Sequence, residues 1–330
     1  MLTMTKHGRT RQHAAFGVIS VLLAGGTLVT AGSASGDPDP SVVRTDQGAV
    51  RGTVTAEARV FRGIPYAAAP TGPLRWEPPG PAAEWRGTRD ATRPGPPCPG
   101  AGVRGADEDC LHVTVATPPH VSVGAGLPVV VRLPGAPPGA GDAEEAVVVT
   151  VSHRTGVLGF LAHPRLADSG NHGLQDQQAA LRWIKRNATA FGGDPGDITL
   201  VGGGAATASV CAQLVSPDAD YLFDRALLTG DGCGRAEPRT RAAALRDGEE
   251  LARRLGCDGE GAAACLRRLT AQELLRAADG AAYGPVYGTR QLPLHPDEAR
   301  RRVTLHPVQV LRAQPVHRAP GATAPGPSGA

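Results

Sequence analysis

Two groups of residues have types and spacing suited to chemistry. The first is a glycine-rich turn, Gly202-Gly203-Gly204-Ala205-Ala206, between an apolar run at 198–201 and a small-residue stretch that begins a helix. Such a turn can wrap a phosphate, and Gly202-x-Gly204-x-x-Thr207 after a strand imitates a dinucleotide loop. Its last glycine is missing, and such loops stand near the start of a βαβ unit, so a dinucleotide-binding protein is a remote alternative. The nearest hydroxyls, Thr207 and Ser209, lie past the turn, and Ser209 reads as a helix residue facing its neighbours. The second group is six cysteines, at 98, 110, 211, 233, 257 and 265. No Cys-x-x-Cys pair is present and the histidines are scattered, so disulfides are favoured over zinc. Cys98/Cys110 and Cys257/Cys265 are close enough in sequence to close short loops. Spacing leaves Cys211 and Cys233 either paired or as buried thiols.

The elements that would position these groups follow from hydrophobic pattern. Residues 42–60 alternate and turn, as short hairpin strands do. Residues 61–93 are rich in Pro, Gly and Trp and read as irregular surface packed by Trp76 and Trp85. Leu127-Pro-Val-Val-Val-Arg-Leu133 and Ala146-Val-Val-Val-Thr-Val-Ser152 are continuous β-branched runs, which suit strands buried on both faces of a mainly parallel sheet. Leu174, Leu181, Ile184 and Ala188 recur at helical spacing before Gly192-Gly193-Asp194-Pro195 stops the helix. Asp197-Ile-Thr-Leu-Val201 is another buried strand, and Ala226-Leu-Leu228 a further one. Strand and helix alternate, which is α/β logic. Past residue 240 the pattern turns helical, with a capping box at Thr270-Ala-Gln-Glu273. Residues 307–330 lose all periodicity and read as a low-complexity, disordered tail.

The chain has 330 residues, 41% hydrophobic and 20% charged, so it can bury a sizeable core. With aromatics at 4%, that core must be built largely from Ala, Val and Leu. A formal charge of +3 excludes a nucleic-acid-binding face as the main theme. At the N-terminus, Lys6, Arg9 and Arg11 precede an apolar run from Phe16 to Val29 and then small residues up to Ala34. That order matches a secretory signal peptide over 1–34, with Gly36 as a second cleavage candidate. The run is shorter than the roughly 20 residues of a membrane span. Cleavage removes those three positive charges and leaves a mature net charge of zero. The expected location is secreted, extracellular or in the cell envelope. Asn187-Ala-Thr189 also fits a glycosylation acceptor pattern, a match that is common by chance.

Several segments together resemble type-B carboxylesterases, the cholinesterase-like branch of the α/β-hydrolases. They are Phe61-Arg-Gly-Ile-Pro-Tyr-Ala67 with Pro73-Leu-Arg75 and Trp85-Arg-Gly87, Asp107-Glu-Asp-Cys-Leu111, Gly156-Val-Leu-Gly-Phe-Leu161, Asn171-His-Gly-Leu174, Asp176-Gln177 and Phe191-Gly-Gly-Asp-Pro195. The resemblance implies an α/β-hydrolase fold, a mainly parallel central sheet flanked by helices. It also implies the pairs Cys98–Cys110 and Cys257–Cys265. The family's histidine-bearing C-terminal part should follow later than residue 330. The resemblance therefore implies an incomplete domain over 35–306 with its C-terminal strands missing.

The family hydrolyses carboxylic esters with a serine, a histidine and an acid, the serine exposed on a Gly-x-Ser-x-Gly turn. Carried onto this chain, the nucleophile position is Gly204, which has no side chain. The oxyanion loop falls at Pro134-Gly135-Ala136-Pro137, where Ala136 keeps an N–H and Pro137 has none. Ala205 keeps the third donor. Pro307-Val-Gln-Val-Leu311 resembles the strand before the acid, and the acid position is Arg318. His295, His306 and His317 lie in the wrong segment to serve as the base and read as solvated loop. The expectation is a catalytically inactive, exported homologue of the family, a pseudoenzyme with no cofactor and no metal. Its expected partner is a small ester or acyl ligand, without nucleic acid or membrane. The alternative is a weakly active ester hydrolase with another nucleophile.

Overall fold

The β-branched runs form the centre of the sheet because strands covered by helices on both sides must be apolar on both faces. In the computed structural model, the described residues are 39–136, 146–204, 206–229, 233, 239–295, 298–299 and 309–313. The segment 1–34 expected to be a signal peptide, Ala205, His306, His317 and Arg318 lie outside them. In chain order the strands are β1 (Val42–Arg44), β2 (Ala49–Arg51), β3 (Thr53–Val54), β4 (Arg59–Pro65), β5 (Thr88–Asp90), β6 (His112–Thr117), β7 (Leu127–Arg132), β8 (Val147–Val151), β9 (Gly193–Gly202), β10 (Arg225–Thr229), β11 (Arg239–Thr240), β12 (Val286–Tyr287) and β13 (Gln309–Ala313). The α-helices are α1 (Gly156–Phe160), α2 (His172–Asn187), α3 (Ala206–Gln213), α4 (Arg241–Arg254), α5 (Ala262–Arg268) and α6 (Ala271–Ala277).

Eight strands make the main sheet in the order β13-β10-β9-β7-β8-β6-β4-β3. β3, β4, β6 and β8 pair antiparallel, and β8, β7, β9, β10 and β13 run parallel. Val129, Val130 and Val131 of β7 are all buried, as a strand covered on both faces requires. Helix α2 buries Leu174, Leu181, Trp183 and Ile184 and carries Lys185 and Arg186 in its last turn, where cations suit the helix dipole. One 3₁₀ turn follows, closed by Gly192 at φ +88°, where a Cβ would sit 2.4 Å from Val121. No helix among the described residues is long and apolar enough to cross a membrane.

A second apolar cluster stands apart from the sheet. Trp76, Val157, Leu158, Leu161, Leu251, Leu266 and Leu274 bring α1, α4, α5 and α6 together. Its polar clasp is Arg75, which is buried. The guanidinium grips Glu108 through two bonds of 2.7 and 2.5 Å and donates its third arm to the carbonyls of Leu266, Arg267 and Leu269.

Two expectations are corrected, and one left open is settled. The segment from Phe61 is not irregular at its start: Phe61 to Pro65 completes β4, because Phe61 and Ile64 fill the core under the sheet. Within the tail, Gln309–Ala313 is a strand, its register fixed by parallel pairing to β10. Cys211 and Cys233, left open by spacing, are bonded to each other, as are Cys98 with Cys110 and Cys257 with Cys265, so no cysteine is free for zinc. Asn187 of the acceptor pattern is buried. Its amide bridges Asp46 and the Trp183 carbonyl, which closes it to glycosylation in the folded chain.

Candidate active site

From β7 the chain moves to β8 on one side and then returns, through α1 and α2, to place β9 on the other side of β7. That reversal opens a crevice at the carboxyl ends of β7 and β9, where open α/β sheets bind ligands. Two turns meet there: Leu133–Ala136 after β7, and Gly202–Ala206 from β9 into α3.

The β9 turn is a sharp strand-to-helix elbow. Gly202 is obligatory, because a Cβ there would lie 2.4 Å from Val210 Cγ2 of α3. Gly204 stands at the tip with φ +54°, exposed, in the left-handed region that side chains rarely adopt. A Cβ on Gly204 would meet only the Gly135 carbonyl oxygen, 3.9 Å away. The backbone therefore presents this position to the crevice, and no functional group is attached to it. Helix α3 begins at Ala206, whose N–H bonds the Gly203 carbonyl, so Thr207 and Ser209 already belong to the helix. Ser209 is buried in its second turn.

The β7 turn uses one of its donors internally. The Ala136 N–H is spent on the Leu133 carbonyl at 3.0 Å, closing a tight turn that shows the Gly135 carbonyl to the elbow. A carbonyl dipole aimed at a forming oxyanion repels it, the opposite of what acyl transfer requires. The expected oxyanion donor at Ala136 is thus engaged within its own turn.

Behind α3 lies a buried polar chain that the sequence reading missed. His153 Nδ1 is 2.9 Å from the Arg154 carbonyl, so that nitrogen carries the proton and Nε2 accepts from Gln177. Gln177 accepts from Gln213 at the end of α3, Gln213 accepts from Gln178, and Gln178 also donates to Ser216. Burial keeps His153 neutral by pushing its pKa down. Arg154 holds Asp176 through bonds of 2.8 and 2.7 Å, both side chains being almost wholly enclosed. Nearby His172 is also buried, and desolvation, with Arg154 and Arg267 adding to it, lowers its pKa to about 3. The cluster of Gln175, Gln177 and Gln178 beside Leu174 and Leu181 in the first half of α2 was the available signal. His295 is placed beside Tyr287, ring edge to face at 5.0 Å, rather than in open solvent.

Residues 39–316 match the Carboxylesterase family along most of the chain. The chain belongs to this family. It is similar to the fumonisin B1 esterase of Sphingopyxis macrogoltabida, 39% identical over 73% of this chain and 47% of that protein. It is also similar to the cocaine esterase of Oryctolagus cuniculus, 33% identical over 82% of this chain and 58% of that protein. Among solved structures it resembles the Geobacillus stearothermophilus carboxylesterase at pH 6.2, with a TM-score of 0.76 at 36% identity, covering 83% of this chain and 61% of that one. The chain spans about half the length of the curated relatives it matches. The fold is that of the α/β-hydrolases, and carboxylic ester hydrolysis is the family's activity.

Proposed function

We propose that this chain is an exported carboxylesterase-family protein that does not hydrolyse esters and instead holds a small ester or acyl ligand. The observation that carries this reading is Gly204, a glycine at the tip of an otherwise well-formed nucleophile elbow. Loss of a serine nucleophile alone lowers turnover by about a million-fold. The nearby Gly135 carbonyl oxygen and the engaged Ala136 N–H add a second obstacle, because the Ala136 donor is not offered to a tetrahedral oxyanion. Export is supported by the order of basic, apolar and small residues in 1–34 and by three disulfides, which persist in oxidising compartments.

The test is hydrolysis of p-nitrophenyl butyrate by the purified chain, alongside labelling with a fluorophosphonate. No turnover above a heat-denatured control and no label are expected from protein shown to be folded by circular dichroism. Turnover with a stable serine adduct overturns the reading and points to a nucleophile other than residue 204.

A further inference from the structure

A cleft of about 780 Å³ lies between the loop closed by Cys98–Cys110 and helix α6, and no residue of the elbow lines it. That volume is within the range of small-molecule sites. Its two walls are fixed to one another. The disulfide closes the loop at one end, and Arg75 ties Glu108 of that loop to the carbonyls that lead into α6. The opening is therefore set by a buried clasp rather than by exposed side chains.

Val103 and Leu275 give the cleft an apolar patch, and Val103 is 44% exposed. Arg104 and Arg276 stand on opposite walls. Arg104 has no hydrogen-bond or ion-pair partner among the described residues. Arg276 donates only to the Gln272 carbonyl of its own helix, and the adjacent Glu273 carboxylate is taken up by the Thr270 capping box. The one acid on the lining, Asp279, accepts from the Gly280 N–H. Two guanidiniums lining one cleft beside an apolar patch match a ligand with one anionic end and one hydrophobic end. A guanidinium fork pairs with a carboxylate in two parallel bonds.

The geometry points to a binding site for an amphipathic carboxylate, a medium-chain carboxylic acid, held by Arg104 and Arg276 with its tail on Val103 and Leu275. This site stands whether or not the elbow turns over esters, and neither arginine belongs to that turn.

Isothermal titration of the full chain with sodium decanoate below its micellar concentration tests it, with decanol and decylammonium as matched probes. One saturable decanoate site is expected, with the alcohol and the amine each at least tenfold weaker. The double variant Arg104→Ala, Arg276→Ala is expected to lose tenfold or more in decanoate affinity. Both side chains are exposed, so its melting temperature should match the wild type; if it melts early, Arg104→Ala alone, in the loop, gives the same reading with a smaller loss. Absence of saturable decanoate binding overturns the site. So does equal binding of decylammonium, or unchanged affinity in the variants. None of these outcomes bears on Gly204, whose test is hydrolysis.

Discussion

The clasp at Arg75 and the elbow at Gly204 both rest on a narrowly defined geometry, and they differ in what that geometry holds. At Arg75 each nitrogen of the guanidinium has an acceptor: two carboxylate oxygens on Glu108 and three carbonyls before α6. At Gly204 the backbone takes a left-handed turn that glycine adopts freely and carries nothing on it. The elbow is shaped by the packing of β9 on α3, through Gly202 against Val210, so it persists without the side chain it would display. Backbone form and chemical function are thus separable: the first is set by neighbours, the second by one residue.

The contrast is broken most sharply at the buried pairs. Asp176→Ala strands Arg154 in a site where both side chains are almost wholly enclosed, and a loss of about 3–5 kcal/mol is expected in urea unfolding. A loss under about 1 kcal/mol would mean that the scaffold does not depend on its charged clasps. Acid comes next. His172 has a folded pKa near 3 against an ordinary 6.5, so the folded state disfavours its protonated form. Its contribution to stability is complete above pH 6.5 and is lost as pH falls from there towards 3. The slope approaches about 1.4 kcal/mol per pH unit. His172→Phe should flatten that slope in melts between pH 6.5 and 4, and an unchanged slope would remove His172 from the account.

At the elbow, Gly204→Ser should fold with a loss of about 1–2 kcal/mol from the left-handed backbone, since a Cβ there meets nothing closer than 3.9 Å. The same variant should remain without p-nitrophenyl ester turnover, because the Gly135 carbonyl still faces the reacting centre. Measurable turnover would show that the nucleophile alone separates this chain from an esterase. The smallest effect is at Tyr221, a non-glycine residue at φ +59° and 64% exposed. Tyr221→Gly relieves the strain and should raise stability by up to about 1 kcal/mol. A drop in melting temperature would show that the tyrosine ring contributes more than its backbone strain costs.

Much of the fold was legible because buried strands announce themselves. The Val-rich runs of β7 and β8 and the apolar 198–201 segment have few alternatives once helices cover both faces. The capping box at Thr270 formed as written, both of its hydrogen bonds being local. β4 was hidden by the glycine and proline that dilute its run. β13 was only partly legible: Pro307-Val-Gln-Val-Leu311 resembles the family's strand before the acid, but the Pro- and Arg-rich sequence around it masks its extent, and its register is set by pairing with β10. At the candidate site, the empty nucleophile position could be read directly from Gly204. The state of Ala136 could not, because whether an N–H points into a crevice or closes its own turn depends on the path of the chain on either side.

By itself the sequence determined which atoms exist at the elbow: a glycine where a side chain would be needed, a proline without an N–H at 137, and six cysteines available to pair. The tertiary structure decided where those atoms point. It bonded Cys211 to Cys233 across 22 positions, turned the Gly135 carbonyl towards the elbow, and buried the Asn187 amide against Asp46. Composition and local pattern limit what a residue can donate or accept. Direction and distance are set by segments far apart in the chain, and only packing brings those together.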